Sequence, residues 1–130
     1  MSYKVYTAES LGVINHIAFF IETESDGTGR KAHVVGSVLN GMKYENKPSK
    51  APEHDDSVSF VPDSKILLGT MRAEDMARFE GTCEAVAPPG AQVKLNGKPK
   101  DPSKPIRRCG DWVKEVTDKV IAEGILKTEG

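Results

Sequence analysis

The sequence has few cysteines, little net charge and no long hydrophobic run. Two cysteines among 130 residues are too few for the disulfide framework of a small secreted domain, so Cys83 and Cys109 are expected to be free thiols. A net charge of -1 offers no basic surface to a phosphate backbone, and nucleic-acid binding is therefore not expected. No apolar run is long enough to span a bilayer.

Signals for export, cofactors and metals are also scarce. Residues 1–6 lack the apolar stretch of a secretory signal, so a cytoplasmic location is expected. The glycines of residues 27–29 and 96–97 are typical of turns and lack the context of a phosphate-binding loop, and no cofactor is predicted. His54 stands in an acidic run that is more typical of a solvated loop than of a metal site. The length fits one domain over residues 1–130.

The first half of the chain is predicted to form a sheet. Residues 13–22 are rich in β-branched and aromatic side chains and are apolar on both faces, which indicates a central strand. Residues 31–38 follow a turn and should pair with that strand as a hairpin. The polar stretch 45–57 contains prolines and is expected to be an exposed loop. Further candidate strands are an edge strand at residues 3–8, a short strand at 58–60 and a strand at 65–71.

Two helices are predicted in the second half. Residues 73–79 begin with acidic side chains, which a helix N-terminus favours. After an irregular connection, residues 108–122 form a second helix that Gly124 closes. We therefore expect an α+β domain, in which an antiparallel sheet packs against this C-terminal helix. The apolar residues of the helix recur at spacings of three and four residues and form a core-facing stripe. The stripe consists of Trp112, Val113, Val116, Val120 and Ile121.

Cys109 lies at the start of this last helix, beside the apolar stripe that includes Trp112. The partial positive charge of a helix N-terminus favours a thiolate, and Arg107 and Arg108 add to it, whereas Asp111 opposes it. Free N–H groups in the first turn can also bind an oxyanion. Cys109 is therefore a candidate nucleophile, and the alternative is a core cysteine at a helix start.

Two histidines fall on the predicted hairpin. His16 shares a strand face with Ile14, Ala18 and Phe20, and a histidine that faces the cysteine helix can serve as its general base. His33, on the paired strand, can hold the second ring nitrogen of His16 and fix its tautomer. The alternatives are a satisfied core histidine for His16 and a half-exposed strand histidine for His33.

Residues 16–21, residues 33–36 on the next strand and residues 109–113 at the start of a helix resemble, in order and local pattern, the permuted papain-like group. That group includes lecithin-retinol acyltransferase-like enzymes, PPPDE-type deubiquitinating peptidases and relatives of NlpC-type cell-wall peptidases. The resemblance implies a permuted papain-like (NlpC-like) fold, with Cys109 as nucleophile, His16 as base and His33 as the third, polar member.

The chain departs from this group at the nucleophile. The lecithin-retinol acyltransferase group has Asn-Cys-Glu-His-Phe where residues 108–112 read Arg-Cys-Gly-Asp-Trp, which leaves the substrate open. The chain also resembles a small uncharacterised family of fungal proteins, in which residues 34–42 and 107–109 are the recurring stretches.

The expected function is cysteine-dependent acyl transfer or hydrolysis through a thioester, with a small-molecule or peptide acyl substrate. The pattern does not separate peptidase, amidase, esterase and acyltransferase. Two alternatives from other classes stay open: a non-catalytic binding module that uses the same cleft, and a structural homodimer formed through apolar strand faces.

Overall fold

The computed structural model describes residues 1–12 and 15–128, which form an α+β domain as predicted. Five antiparallel strands and two α-helices make up this part of the chain, with short 3-10 turns at Pro52–His54 and Ala73–Asp75. The predicted strand at 13–22 corresponds to β2, while its members Val13 and Ile14 lie outside the described residues. The elements are β1 Ser2–Ser10, β2 His16–Glu22, β3 Gly29–Ser37, β4 Gly41–Ser49, β5 Ile66–Arg72, α1 Met76–Ala85 and α2 Cys109–Ala122.

The strands are ordered β4-β3-β2-β1-β5 across the sheet. β2 and β3 form the predicted antiparallel hairpin. β1 pairs with β2 on one side and with β5 on the other, so the predicted edge position of residues 3–8 is wrong. The pairing partner β5 comes more than fifty residues later in the chain, and no local pattern in β1 reveals it. Residues 58–60 contribute one isolated bridge, from Phe60 to Ser10, instead of a strand.

The predicted loop at 45–57 is also partly wrong, because residues 45–49 belong to β4. Pro48 indicated a loop, since proline cannot donate a ladder hydrogen bond. β4 is an edge strand, however, and an edge strand tolerates proline where the missing N–H would face solvent. The correction matters for the site, because β4 lies beside the histidine strand β3 along its whole length.

Helix α2 packs on β2 and β3 through a buried stripe centred on Trp112. The Trp112 side chain is fully buried, its ring packs edge-on against Phe19, and its Nε1–H donates to the carbonyl of Val86 at 3.0 Å. Ile121 was expected in the core stripe but is 41% exposed, because it falls at the outer margin of the helix face. Gly124 takes a φ of 73° and ends α2 as predicted. No helix in the described part of the chain has the length and apolarity to cross a membrane.

The two faces of the sheet have different coverings. Phe19 and Ile21 of β2 belong to the core cluster under the helices. Ala18 and Phe20 point to the opposite face, where side chains from residues 52–60 lie against them around a small gap of about 30 Å³. The sheet is therefore covered on both sides near β2.

Candidate active site

Cys109 is the first residue of α2 and is 8% exposed. The carboxylate of Asp111 accepts a hydrogen bond from the backbone N–H of Arg108 at 2.8 Å, which fixes the chain as it enters the helix. The first N–H groups of an α-helix have no acceptor within the helix. The thiol of Cys109 thus lies beside backbone donors that an anionic oxygen can use.

The start of α2 closely approaches β2. A Cβ atom on Gly110 would lie 3.1 Å from Cδ1 of Ile17, so only glycine fits without displacing the side chain. Gly110 directly follows Cys109, and Ile17 directly follows His16. The contact therefore brings the beginning of the cysteine helix to the beginning of the histidine strand.

A cavity of about 580 Å³ opens where β2 and β3 separate. The β2–β3 pairing runs from Glu22 and Gly29 to Phe19 and Ala32, while β3 continues to residue 37. All three sequence-predicted site residues line this cavity. Its wall is formed by His16, His33, Val34, Val35, Gly36, Ser37, Val38, Met42, Arg108 and Cys109.

The orientation of His16 differs from the expectation. His16 shares its face with Ala18 and Phe20 as alternation predicts, but this face lies away from α2. Cys109 and His16 therefore reach the cavity from different sides of the sheet, through the gap between β2 and β3. Within the described residues, Cys109 Sγ forms no hydrogen bond with His16, and the two residues share the cavity wall.

Three side chains form a hydrogen-bonded chain that leads to the cavity. His16 Nε2 lies 2.7 Å from His33 Nδ1, which is the direct contact expected between these rings. His33 Nε2 lies 2.9 Å from Oε1 of Glu45, which stands opposite His33 in the β3–β4 ladder. Glu45 was missed because its segment was assigned to a loop. The alternation of Met42 and Tyr44 with charged neighbours is the signal that identifies its strand.

The chain also determines which ring nitrogens carry protons. The carboxylate of Glu45 only accepts, so His33 must donate from Nε2. Neutral His33 then accepts at Nδ1, and His16 must donate to it from Nε2. Neutral His16 is left with its lone pair on Nδ1. The arrangement thus selects the one tautomer in which Nδ1 of His16 is a base.

Both imidazoles are neutral near pH 7. Burial, followed by His33 and the cation of Lys31, lowers the pKa of His16 to about 4. Burial also lowers the pKa of His33, although its hydrogen bond to Glu45 opposes this. The pKa of Glu45 is lowered chiefly by the hydrogen bond from His33. His16 is therefore suited to take a proton from a thiol and is not the charged half of a standing thiolate–imidazolium pair.

An ion pair fixes the covering segment next to His16. Lys31 Nζ lies 3.1 Å from Oδ2 of Asp55, and both side chains are almost buried. Ser57 donates its hydroxyl and backbone N–H to the same carboxylate, which lowers the pKa of Asp55 to about 2. The pair balances the lysine charge and attaches the segment after β4 to the sheet face that carries His16.

Gln92 joins the cavity wall to the chain that precedes Cys109. Its side chain accepts from the N–H of Arg107 at 2.7 Å and donates to the carbonyl of Arg107 at 2.6 Å. Its own N–H donates to the carbonyl of Val38 at 2.6 Å. One residue therefore sets the position of the β3–β4 turn relative to the start of α2, and nothing in the sequence distinguished it.

Cys83 is unlike Cys109. It lies inside α1, where the sequence placed it just after a helix, and it is fully buried. Burial raises the pKa of its thiol to about 12. Both cysteines are free, as predicted. In residues 1–12 and 15–128, no cluster of three or more His, Cys, Asp or Glu side chains is placed to hold a metal ion.

Comparison with known families gives a match over almost the whole chain. The model of a family of unknown function, DUF6540, matches residues 3–127. No curated protein and no solved structure matches the chain.

Proposed function

The chain belongs to DUF6540, and we propose that it is a cysteine-dependent acyl-transfer enzyme in which Cys109, His16 and His33 form the catalytic group. The observation that supports this most directly is the chain from Glu45 through His33 to His16, which ends at the cavity lined by Cys109. Such a chain holds a neutral histidine in its basic tautomer at a cavity that also contains a thiol.

The reaction begins with addition of Cys109 Sγ to the carbonyl carbon of an ester or amide. Nδ1 of His16 takes the thiol proton, and N–H groups in the first turn of α2 hold the carbonyl oxygen as it becomes negative. When the tetrahedral adduct collapses, the leaving alcohol or amine takes the proton from His16, and a thioester remains on Cys109. Water or another acyl acceptor then releases the acyl group, with His16 again serving as base.

A permuted papain-like fold is part of the proposal. Two observations support it: the histidines lie on adjacent antiparallel strands, and the cysteine opens a later helix that packs on the same strands. We assign the activity to the cytoplasm, where reducing conditions would keep Cys109 a thiol. The substrate is proposed to be a small-molecule or peptide acyl donor of a size that fits the cavity.

Intact-mass spectrometry of the protein with a panel of activated esters and thioesters tests the proposal. We expect one acyl adduct on the wild type, none on Cys109→Ala, and an unchanged adduct on Cys83→Ala. The Cys83 variant is the matched control, because that thiol is fully buried and ionises only at high pH. Circular dichroism of each variant shows that the fold is retained.

Two results would overturn the proposal. One is an adduct on Cys83, or equal labelling of wild type and Cys109→Ala. The other is a Cys109 that reacts no faster than free cysteine at the same pH. The second result would favour a non-catalytic binding module that uses the same cavity.

A further inference from the structure

Among the described residues that line the cavity beside Cys109, Arg108 is the one with a cationic side chain. We propose that Arg108 binds a carboxylate carried by the acyl donor, so that the enzyme acts on acidic acyl substrates. This inference rests on the proposed function, whose nucleophile is the next residue in the chain. It names the substrate class that the sequence left open.

The guanidinium of Arg108 has no anionic partner among the described residues, although it is only partly exposed. Its neighbour Arg107, in contrast, bonds Glu115 at 2.6 Å on the other side of the chain. Asp111 is close in sequence, but its carboxylate accepts from the backbone N–H of Arg108 and forms no ion pair with the guanidinium. The charge of Arg108 is thus left for a ligand.

The rest of the cavity wall makes this charge selective. Among the described residues, no Asp or Glu side chain lines it, and β3, β4 and the turn between them contribute mainly apolar groups from Val35, Val38 and Met42. An unpaired guanidinium in a concave, largely apolar site attracts an anion more strongly than it would on an open surface. Its planar fork matches the two oxygens of a carboxylate.

The position of Arg108 also limits the length of the acyl donor. Arg108 and Cys109 line the same cavity, so a donor that reaches both must carry its carboxylate and its reacting carbonyl within the span of that cavity. A dicarboxylic acid esterified at one end has this form. Such a donor would place its free carboxylate on Arg108 and its ester carbonyl at Cys109 Sγ.

A matched pair of probes tests the inference in the acylation reaction. The 4-nitrophenyl monoester of glutaric acid carries the carboxylate, and the 4-nitrophenyl ester of glutaramic acid replaces it with a neutral amide of the same shape. We expect the wild type to acylate faster with the anionic ester. Arg108→Gln should remove this preference and lower kcat/KM for the anionic ester by roughly 10- to 100-fold, with little change for the neutral one.

Arg107→Gln is the control for the loss of one positive charge at this position of the chain, and it should keep the preference. Higher salt should reduce the preference of the wild type. If Arg108→Gln slowed both esters equally, Arg108 would act on the nucleophile rather than on the substrate, and the inference would be wrong. Equal rates of the wild type with both esters would also overturn it.

A binding experiment separates this inference from the proposed chemistry. Cys109→Ala, labelled with nitrogen-15, is titrated with glutaramic acid and with neutral glutaramide, and the amide signals of the cavity wall are followed. We expect saturable chemical-shift changes with the acid alone. These changes should disappear in the double variant that carries Arg108→Gln as well as Cys109→Ala. Binding of the acid without any acylation of the wild type would retain the anion site and reject the enzyme. Acylation without selective binding of the acid would retain the enzyme and reject the anion site at Arg108.

Discussion

Glu45 lies directly across the β3–β4 ladder from His33 and accepts a hydrogen bond from its Nε2 at 2.9 Å. The far side of the His33 ring holds His16 at 2.7 Å. Through this one strand pairing, a carboxylate at the sheet edge determines the tautomer of His16, whose ring lines the cavity. The consequence is a defined proton position on each of the two imidazoles.

The first prediction concerns this carboxylate. Glu45→Gln keeps the shape but lets an amide N–H donate to His33, which would invert the proton positions along the chain and remove the lone pair from Nδ1 of His16. We expect acylation of Cys109 to slow by about 10- to 100-fold, within the range that positioned acid–base groups contribute. Glu45→Asp should retain more activity than Glu45→Gln, because it keeps an acceptor-only group.

Glu84→Gln is the matched control, since this glutamate is exposed on α1 away from the histidines. It should leave the acylation rate unchanged. An unaltered rate for Glu45→Gln, measured with the fold intact, would show that Glu45 does not position the base.

The second prediction concerns pH. The pKa of His16 is about 4, so the base stays neutral well below the ordinary histidine range. We expect kcat/KM for acylation to lose no activity through protonation of His16 until the pH approaches 4. NMR titration of the ring nitrogens checks the assignment, with the urea-unfolded protein as the control that titrates near 6.5. A ring that titrates near 6.5 in the folded protein would contradict the neutral-base mechanism.

The same shift has a consequence for stability. Folding favours the neutral form of His16, whereas the unfolded chain protonates this ring below about pH 6.5. The contribution of neutral His16 to the free energy of unfolding is therefore fully present above about pH 6.5 and is lost as the pH falls towards 4. Urea unfolding at pH 7 and pH 5 should show a smaller decrease for His16→Gln than for the wild type. An equal decrease in both proteins would place the pH dependence on other groups.

The third prediction ranks the two histidines. His16→Ala removes the base itself and should slow acylation of Cys109 by about 10²- to 10⁴-fold. His33→Ala removes only the ring that orients the base, and the loss should be smaller. Melting temperatures must be compared, because His33 is buried and its removal leaves Glu45 without that partner. Equal acylation rates for His33→Ala and wild type would show that His33 is not the third member of the catalytic group.

The fourth prediction concerns the close approach of α2 to β2. Gly110→Ala would bring a methyl group to 3.1 Å from Cδ1 of Ile17, so that the Ile17 side chain, or the start of α2 with Cys109, must shift by a few tenths of an ångström. Because a misplacement of about 1 Å costs on the order of 10²-fold in rate, we expect a loss of up to about tenfold. Ile17→Val removes Cδ1 and should restore the rate in the double variant.

Gly81→Ala in α1 is the matched control, because no atom lies within 4 Å of the added methyl. It should raise stability by about 0.5–1 kcal/mol, as alanine does in a helix interior, and leave acylation unchanged. If Gly110→Ala behaved in the same way as Gly81→Ala, the contact with Ile17 would not control the position of Cys109.

The sequence contains enough local information for most elements near the site, and it fails where pairing is distant or where one residue type misleads. The hairpin of β2 and β3 and the helix that begins at Cys109 follow from composition and periodicity, so the three proposed residues are found. The side of the sheet that His16 faces does not follow, because alternation defines two faces without saying which one a later helix covers. Glu45 was missed because it begins the polar, proline-containing stretch 45–57, whose composition is typical of a loop, although its first residues belong to an edge strand.

Pro48 also affects whether copies of the protein aggregate through their sheet edges at high concentration. β4 forms one margin of the sheet, and an open margin is a template on which a foreign strand can add. The proline lacks the N–H that an added strand would need. The exposed charge of Lys43 also repels a second copy of β4, whereas Lys47 is paired with Glu45 at 3.2 Å. The feature that conceals this strand in the sequence thus protects it from edge-to-edge aggregation.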